Sequence, residues 1–351
     1  MIRPHLFLTN SPTKMKMLSF SKLFVLLLAM TALTFTSCDD DNDDIIGVNI
    51  GDGGFLFLSS NTSGRVGVTD VDDRPLEIET FTAAGIDSDG IVYDDNSDVL
   101  FQVNRTNNRL VSYEDVTDDV NDPSGVSILN QSTSDFSNGR GLASIGNSQF
   151  IVAQDGNDDN DNTNALVIFT YTDDNGFVKS KTIPTPFNLW GIQVVNNQVF
   201  AIADNSDSLA VYNNLFDMTD GMMASPDRYI KIDGIERTHG LEYDETDDLM
   251  ILTDIGDADS GEDGGLIMIT NFSTRNGNTI TSSDYTRISG SNTMLGNPVD
   301  VDYDEENERV YVAERKRNGG MLLVFDANAS GNVAPVQTAE FAGLSSLYLN
   351  R

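Results

Sequence analysis

Four chemically different side chains recur at equivalent points of a repeated apolar segment, and their types indicate ligand recognition. Each opens such a segment and precedes a glycine, in the pairs Asp89-Gly90, Arg140-Gly141, Trp190-Gly191 and His239-Gly240. Their spacings are 51, 50 and 49 residues, and Val299 takes the next place after 60 more. A carboxylate, a guanidinium, an indole and an imidazole at one concave site could hydrogen-bond and stack with a polar ligand, which predicts a binding site. A polar lining without function is the alternative.

A second set of polar residues follows the first with the same period. The residues that end the second strands lie 14 or 15 residues after a member of the first set, and the next residue is again polar or is Ile255. Because the period is shared, we expect these side chains to reach the same face of the domain. The predicted members are Asn104, Arg105, Gln154, Asp204, Asp254, Glu314 and Arg315.

One acidic loop has the spacing of a calcium ligand set. Asp155, Asn157, Asp159 and Asp161 place oxygen atoms at alternate positions, and Ca²⁺ is held by about 6–8 oxygen ligands. The loop lacks the glycine at the sixth position and the glutamate at the twelfth that calcium loops carry. The favoured interpretation is therefore a solvated Asp/Asn loop, and Ca²⁺ binding by these four residues is the alternative.

The sequence contains no recognisable catalytic motif. It has no G-x-S-x-G element, and its two histidines are His5, in a segment that we expect to be removed, and His239. A lone histidine excludes multi-histidine zinc sites in the mature domain. His239 could be a general base, although such a residue is more often a hydrogen-bonding group at a rim.

The residues above require an architecture that brings segments about fifty residues apart to one place. Each repeat contains a first strand, two further apolar strands and a weaker fourth, and four antiparallel strands per about 45–50 residues are typical of a β-propeller blade. The loop that enters strand one and the loop between strands two and three then emerge on the same face. The first strands begin at Asp89, Arg140, Trp190, His239 and Val299.

The chain ends predict how the ring closes. Gly54–Thr82 matches the last three strands of a blade without its first, and Ser345–Asn350 is a first strand with nothing after it. Pairing the two segments gives an all-β, six-bladed propeller over residues 54–351 and leaves no open sheet edge. A β-sandwich would leave both truncations unexplained, and the extra residues after Gly240 are too few for a seventh blade.

The repeats resemble a known family. Val310-Tyr-Val-Ala-Glu314, Leu323-Val-Phe-Asp326 and Pro298-Val-Asp-Val-Asp-Tyr-Asp304 are similar to the NHL/YVTN type of propeller repeat, and the similarity covers nearly all of residues 54–351. The resemblance implies a lactonase, a ligand sensor, a protein scaffold or a carbohydrate-associated surface protein. Fold similarity alone assigns no activity.

The resemblance also raises a metal-dependent lactonase or esterase as an alternative. Propellers of the gluconolactonase type hold a divalent metal with acidic and amide side chains at the starts of first strands, and the metal polarises a carbonyl. Only Asp89 fits this pattern among the five equivalent residues, and a cation there would meet Arg140. The alternative is therefore disfavoured.

The N-terminus indicates export and lipid anchoring. Lys22 precedes an apolar run of 13 residues, Leu23–Phe35, and small residues lead to Cys38, the only cysteine. The run is too short for an ordinary membrane-spanning helix, and its ending resembles a bacterial lipoprotein signal, although Leu is usual where Phe35 stands. We predict a signal peptide at 1–37, acylation of Cys38 and an acidic tether at 38–53. Insertion in the outer membrane with the domain facing outward is expected.

The composition limits the partners. The apolar content of 39% suffices for a folded core, and the formal charge is −34. Such a surface repels phosphate backbones, so nucleic acid is excluded as a partner. We predict a surface lipoprotein whose propeller binds an extracellular glycan, protein or peptide. A hydrolase and a structural part of an outer-membrane complex are the alternatives.

Overall fold

The computed structural model describes residues 53–146, 148–172 and 174–351. Cys38, the predicted signal peptide and nearly all of the predicted tether lie outside these residues. Within the described part of the chain, no helix is long and apolar enough to cross a membrane. The described residues form a ring of small antiparallel sheets.

Six sheets make up the ring, and each is one blade. The first three blades use strands β1 (Phe55–Ser60), β2 (Arg65–Asp70), β3 (Glu79–Thr82), β4 (Ser88–Asp94), β5 (Val99–Asn104), β6 (Arg109–Glu114), β7 (Ser127–Gln131), β8 (Gly139–Ile145), β9 (Gln149–Gln154), β10 (Ala165–Thr172) and β11 (Gly176–Pro184). The other three use β12 (Leu189–Val195), β13 (Gln198–Ala203), β14 (Ser208–Tyr212), β15 (Arg228–Ile232), β16 (Leu241–Asp244), β17 (Leu249–Asp254), β18 (Gly265–Thr270), β19 (Thr279–Ile280), β20 (Thr286–Ser289), β21 (Pro298–Asp304), β22 (Arg309–Glu314), β23 (Met321–Asp326) and β24 (Gln337–Glu340). The C-terminal strand β25 (Leu344–Asn350) belongs to the first blade.

Helical structure in the described residues is confined to single turns in the connections. These are α1 (Val116–Asp119) and the 3₁₀ turns Asp158–Asn160, Leu215–Asp217, Phe272–Thr274 and Arg317–Gly319. The strands and the loops that join them therefore position the candidate site residues.

The predicted closure of the ring is confirmed. The C-terminal strand β25 pairs antiparallel with β1, with Phe57 opposite Tyr348 and Leu56 opposite Leu349, so the sheet order is β25-β1-β2-β3. The innermost strands β4, β8, β12, β16, β21 and β25 contact one another in turn around the axis. The six-bladed propeller is thus closed by its two chain ends.

The hydrophobic core lies between neighbouring blades. Second strands such as β5 are buried along their whole length because both of their faces pack against other sheets. Between the second and third blades, the rings of Phe101 and Phe150 lie 4.4 Å apart, and Tyr171 meets Phe101 edge to face at 5.1 Å. Each blade is held by its neighbours, which fixes the loops at the ends of the strands.

A β-bulge at the start of the inner strands places the candidate residues. The register shifts between Ser88 and Ile91, and equivalent shifts occur in β8, β12 and β21. A bulge inserts an extra residue and re-aims its side chain, and such bulges are common next to functional sites. The bulged residues include Asp89, Arg140 and Trp190.

The glycines after these residues are required by close backbone contacts. A Cβ on Gly90 would lie 2.4 Å from the amide nitrogen of Leu142, and one on Gly191 would lie 2.5 Å from the carbonyl oxygen of His239. The amide of Gly191 also donates a hydrogen bond to that oxygen at 3.0 Å. Adjacent inner strands therefore approach too closely for any side chain at these positions.

Three features differ from the sequence-based expectations. The long spacing before Val299 contains the 3₁₀ turn at Phe272–Thr274 and the short strand β19, which adds a fifth strand to the fourth blade by pairing parallel with β15. The outer strand β3 begins at Glu79, whereas the apolar pattern of the sequence predicts a start at Leu76. Finally, β13 ends at Ala203, so Asp204 occupies the place of Arg105 and Arg315, not that of Asn104.

Candidate functional site

One end of the central channel opens into a cavity that we call the mouth cavity, with a volume of about 410 Å³. Five of the predicted residues line it, namely Arg105, Arg140, Trp190, His239 and Arg315. Val299 also lines it, as the position equivalent to Trp190 and His239. The bulges on the inner strands and the loops after the second strands thus bring together side chains from successive blades.

Three of these side chains form a stack across three blades. The rings of Trp190 and His239 are parallel, with centroids 3.6 Å apart and an interplanar angle of 6°. The guanidinium carbon of Arg140 lies 4.0 Å from the Trp190 ring centroid. Because Trp190 stands between the blades that carry the other two residues, both of its faces are covered. Trp190 therefore has no free ring face on which a sugar could stack, although its side-chain type made such stacking an expectation of the sequence analysis.

His239 is fixed by a buried acid. Its Nε2 lies 3.1 Å from Oδ1 of Asp204, and both side chains are almost completely buried. A carboxylate can only accept, so the imidazole proton lies on Nε2 and Nδ1 is left as an acceptor. Burial lowers the pKa of His239 to about 4, although the hydrogen bond to Asp204 opposes this shift. The imidazole is therefore neutral at pH 7.

Asp204 is shared between His239 and an arginine that the sequence did not single out. Arg237 donates to Oδ1 from Nε at 2.7 Å and to Oδ2 from Nη2 at 2.9 Å, a bidentate pair. Burial alone would raise the pKa of Asp204, but the hydrogen bonds from His239 and Arg237 hold it well below its ordinary value. Arg237 lines the mouth cavity. It lies two residues before His239, at the place of Asp87, and this equivalence could have identified it.

The opposite wall contains a second charged cluster. Arg105 donates to Asp87 Oδ1 at 3.0 Å and to Asn138 Oδ1 at 2.8 Å. Asp89 Oδ2 lies 3.5 Å from Arg140 Nη1 and 3.9 Å from Arg105 Nη1, which is long for a hydrogen bond. Burial raises the pKa of Asp89 to about 6, against the two arginines that lower it. The carboxylate of Asp89 is therefore held in place by charge rather than by good hydrogen bonds.

Several buried polar atoms around the mouth lack a hydrogen-bond partner among the described residues. They are Asp89 Oδ2, Arg105 Nε, Arg140 Nε, Asp155 Oδ1 and His239 Nδ1. In folded proteins the large majority of buried polar atoms are paired. Three of these atoms belong to residues that line the mouth cavity, namely Arg105, Arg140 and His239. Unpaired polar atoms in the wall of a cavity are typical of a polar binding site without its ligand.

Six of the predicted ligand-binding residues do not line the mouth cavity: Asp89 and Asp204, which lie next to its arginines, and four residues at the ends of strands. Asn104, Gln154, Asp254 and Glu314 end their strands buried, at exposures of 7% or less. Each accepts hydrogen bonds from loop amides, as Glu314 does from Gly296 at 2.8 Å and Asp254 from Gly256 at 3.2 Å. A one-residue difference along a strand reverses the direction of the side chain, so their successors Arg105, Ile255 and Arg315 reach the cavity instead. These four residues brace the loops.

The predicted calcium loop has internal contacts of its own. Asn157 Oδ1 accepts from the amide of Asp159 at 3.1 Å and caps the 3₁₀ turn Asp158–Asn160. Asp155 is buried and turns inward, with Oδ2 3.3 Å from Asn138 Nδ2 and 3.9 Å from Arg140 Nε. Among the described residues, no group of three or more acidic, histidine or cysteine side chains is arranged to hold a metal ion. Calcium binding by Asp155, Asn157, Asp159 and Asp161 stays a prediction.

Below the mouth, the channel contains a second cavity of about 300 Å³ that we call the channel cavity. It is lined by three carboxylates that the sequence analysis did not select, namely Glu242, Asp300 and Asp302. Asp300 Oδ2 accepts from the Ser346 hydroxyl at 2.6 Å, and Asp302 Oδ2 accepts from the Leu349 amide at 2.7 Å. These bonds attach the closing strand β25 to its neighbour β21.

Among the described residues, none of these three carboxylates has a basic partner within 4 Å. Burial raises the pKa of Asp300 and that of Asp302 to about 7, and Asp300 adds to the shift of Asp302 by repulsion. Burial and the neighbouring Asp302 also raise the pKa of Glu242 well above its ordinary value. The alternation of Asp300, Asp302 and Asp304 along one strand was the sequence signal for this cluster.

No known protein family matches the sequence, and no curated protein is similar to it at a significant level. Solved structures do share the architecture. A candidate 6-phosphogluconolactonase from Bacteroides uniformis is 9% identical with a TM-score of 0.57, and the match covers 86% of this chain and all of that one. The periplasmic gluconolactonase of Pseudomonas aeruginosa is 12% identical with a TM-score of 0.56, over 85% and 99% of the two chains.

A structure from a different functional setting is equally similar. A chain of the nidogen–laminin complex is 11% identical with a TM-score of 0.55, and the match covers 84% of this chain and 97% of that one. At identities this low, the likeness concerns the fold. The fold of this chain is therefore similar both to that of lactonase-like propellers and to that of a chain of the nidogen–laminin complex.

Proposed function

We propose that this protein binds a small polar ligand in the mouth cavity. The observation that carries the proposal is the cluster of unpaired buried atoms on Asp89, Arg105, Arg140, Asp155 and His239. Leaving such an atom unpaired costs about 1–3 kcal/mol. In the empty cavity ordered water would supply the missing partners, and in the bound state polar groups of the ligand would replace that water. The cavity volume lies in the lower part of the range of small-molecule sites, about 300–1,000 Å³.

Binding can be measured on the purified full-length chain. Monosaccharides, sugar acids, sugar lactones and short peptides would be titrated by calorimetry and by fluorescence. Trp190 is the only tryptophan of the chain, so its emission reports on the mouth cavity directly. We expect at least one class to bind with a change in emission, and Arg140→Gln to weaken that binding. The matched control is Arg309→Gln, which removes an arginine paired with Asp326 at the opposite face. If no class gives heat or an emission change, the proposal is wrong.

Hydrolysis of a lactone is the second candidate function. It is favoured by the pairing of His239 with Asp204, which leaves Nδ1 as an unprotonated acceptor at neutral pH. Two of the proteins with a similar fold are described as lactonases. In this case His239 would take a proton from the attacking water, and the arginines would stabilise the negative charge that develops on the carbonyl oxygen.

The hydrolase candidate is tested with D-glucono-1,5-lactone and a pH indicator. Catalysis by the full-length chain above the spontaneous rate, lost in His239→Asn and retained in Arg309→Gln, would support it. Equal rates with and without protein would leave binding alone as the function.

We also propose that the domain is displayed at the cell surface through acylated Cys38, so that its ligand is extracellular. The signal at 1–37 and the acidic segment at 38–53 support this placement. Membership of an outer-membrane complex is an alternative role for the same display. Cys38→Ala should abolish labelling by radioactive palmitate and release the protein from membranes, and protease treatment of intact cells should degrade only the anchored form.

A further inference from the structure

Resting on the proposed binding function, we infer that the ligand of the mouth cavity is an organic carboxylate. The inference concerns the charge of the ligand rather than the existence of a site. It stands on the arginines that line the cavity, namely Arg105, Arg140, Arg237 and Arg315. They come from four different blades, so the convergence is produced by the ring and not by one local segment.

This convergence is unexpected in so acidic a protein. The chain has 21 Lys and Arg against 55 Asp and Glu, yet one cavity receives four arginines. Three of the acids that accompany them lie beneath, because the side chains of Asp89, Asp155 and Asp204 are only 4%, 9% and 2% exposed. The fourth, Asp87, lines the cavity with its side chain 40% exposed and is paired with Arg105. Guanidinium groups are therefore the main charged groups that an entering molecule would meet. Concave sites lined by one sign of charge concentrate ligands of the other sign.

The arginines are also held in position. Arg237 is fixed by two hydrogen bonds to Asp204, and Arg105 by Asp87 and Asn138. When the side-chain amide of Asn61 is oriented with its oxygen toward Arg315, this oxygen accepts a hydrogen bond from Arg315 Nε at 2.7 Å. Because these side chains are already ordered, binding would cost little additional conformational entropy. A planar guanidinium matches the two oxygens of a carboxylate.

The charge balance favours a single negative charge. Arg105, Arg140 and Arg237 each have a carboxylate within 4 Å, supplied by Asp87, Asp89, Asp155 and Asp204. Arg315 has no acidic partner among the described residues, and its side chain is exposed to solvent. The cluster as a whole therefore has about as many acids as arginines, with the free guanidinium at its rim. The charges of the cluster cancel overall, but Arg315 is the one guanidinium of the four without an acidic partner among the described residues, so it can pair with one carboxylate. A phosphate dianion would bring a second negative charge for which these residues offer no unpaired arginine.

The experiment compares acids with their neutral counterparts on the full-length chain. Calorimetry would be run with gluconate against gluconamide, galacturonate against galactose, and glucose 6-phosphate as the phosphate arm. We expect each carboxylate that binds to do so at least about tenfold more tightly than its neutral counterpart, since charge-assisted hydrogen bonds are lost in the latter. Arg315→Gln should reduce carboxylate affinity by about tenfold, Arg315→Lys should reduce it less, and Arg309→Gln should not change it.

The possible outcomes separate the two proposals. Binding of the neutral members as tightly as the acids, with no effect of Arg315→Gln, overturns the carboxylate and leaves the binding function standing. Tighter binding of glucose 6-phosphate than of both carboxylates also overturns it, in favour of a phosphate ligand. Absence of binding by every member overturns the proposed function together with this inference. Arg315 is exposed, so an unchanged melting temperature of both variants would show that the fold is intact.

Discussion

The two cavities on the propeller axis contain buried charge in opposite arrangements. In the mouth cavity, the acids lie next to arginines, as Asp204 does beside Arg237. In the channel cavity, Glu242, Asp300 and Asp302 face one another, and their hydrogen bonds come from neutral amides and a hydroxyl. Buried charges are stabilised by opposite charges and destabilised by like charges. The same ring therefore holds a charge-paired region directly above a charge-repelling one.

This difference implies opposite responses to pH. The folded-state pKa of His239 is about 4, below the ordinary 6.5, so folding releases a proton and stability is lost as the pH falls through this window. The folded-state pKa values of Asp300 and Asp302 are about 7, above the ordinary 3.8. Their folded forms hold protons that the unfolded chain releases, so stability is lost as the pH rises through this range. Four substitutions test the contrast.

The largest effect should come from removing the acid that organises the mouth. Asp204→Ala leaves Arg237 and His239 without their shared partner, and breaking a buried pair in this way costs about 3–5 kcal/mol. We expect a large fall in the urea midpoint at pH 7. Asp207→Ala is the control, because its ion pair with Lys231 is exposed and should be worth less than about 1 kcal/mol. Equal losses in the free energy of unfolding of the two variants would mean that the buried charge pairs of the mouth stabilise the fold no more than an ion pair at the surface does.

The next effect is the acid sensitivity of the mouth. His239→Asn removes the group that must be charged in the unfolded chain at low pH, so the variant should lose less stability than the parent between pH 7 and pH 4. The difference between the two curves should be on the order of 2–3 kcal/mol, since a tenfold change in proton affinity on folding corresponds to about 1.4 kcal/mol. Urea unfolding at closely spaced pH values provides the measurement. Parallel curves would show that His239 is not the buried neutral imidazole described above.

How far the sequence predicted these regions depended on the kind of signal. The blades and their closure were predictable because strand patterns repeat and because Gly54–Thr82 and Ser345–Asn350 complement each other. Arg140, Trp190 and His239 hold equivalent places at the starts of inner strands and line the mouth cavity together, whereas Asp89 lines the channel cavity. Side-chain direction at strand ends was not predictable, because a shift of one residue turns Glu314 into the loops and Arg315 into the cavity.

The channel acids were missed for a related reason. Asp300 and Asp302 alternate with Val299, Val301 and Tyr303, which is an ordinary pattern for a strand with one polar face. Only ring closure shows that this polar face meets Glu242 and the end of the chain instead of bulk solvent. The pairing of Arg237 with Asp204 likewise joins adjacent blades, and a single repeat contains no sign of it.

A smaller effect, of opposite sign, is expected in the channel cavity. Glu242→Gln removes one of the repelling carboxylates and keeps an oxygen that can accept from Gln193 Nε2, which lies 2.9 Å from both carboxylate oxygens. The variant should be more stable than the parent at pH 8, by about 1–2 kcal/mol, a discounted figure because these groups border an open channel. The gain should disappear near pH 4.5, where the parent's Glu242 is protonated.

The control for this variant is Glu245→Gln, on the exposed turn after β16, which should change stability little at either pH. A loss of stability in Glu242→Gln at pH 8 would contradict the assignment of the channel as a charge-repelling region. It would instead indicate that Glu242 has an ionic partner that stabilises it.

The smallest effect concerns the stack between the two walls of the mouth. Trp190→Phe keeps an aromatic ring between Arg140 and His239 but reduces its area and weakens the attraction of the guanidinium, which is strongest for tryptophan. We expect a loss of about 0.5–1.5 kcal/mol at pH 7 by urea unfolding. The acid sensitivity should be nearly unchanged, because Asp204 still binds His239. A loss of stability several times larger than this, or a changed dependence of stability on pH below pH 7, would contradict this expectation. Either result would mean that the indole, and not the pairing with Asp204, holds the imidazole neutral. The contrast between the two cavities would then rest on packing around one ring rather than on the pairing of charges.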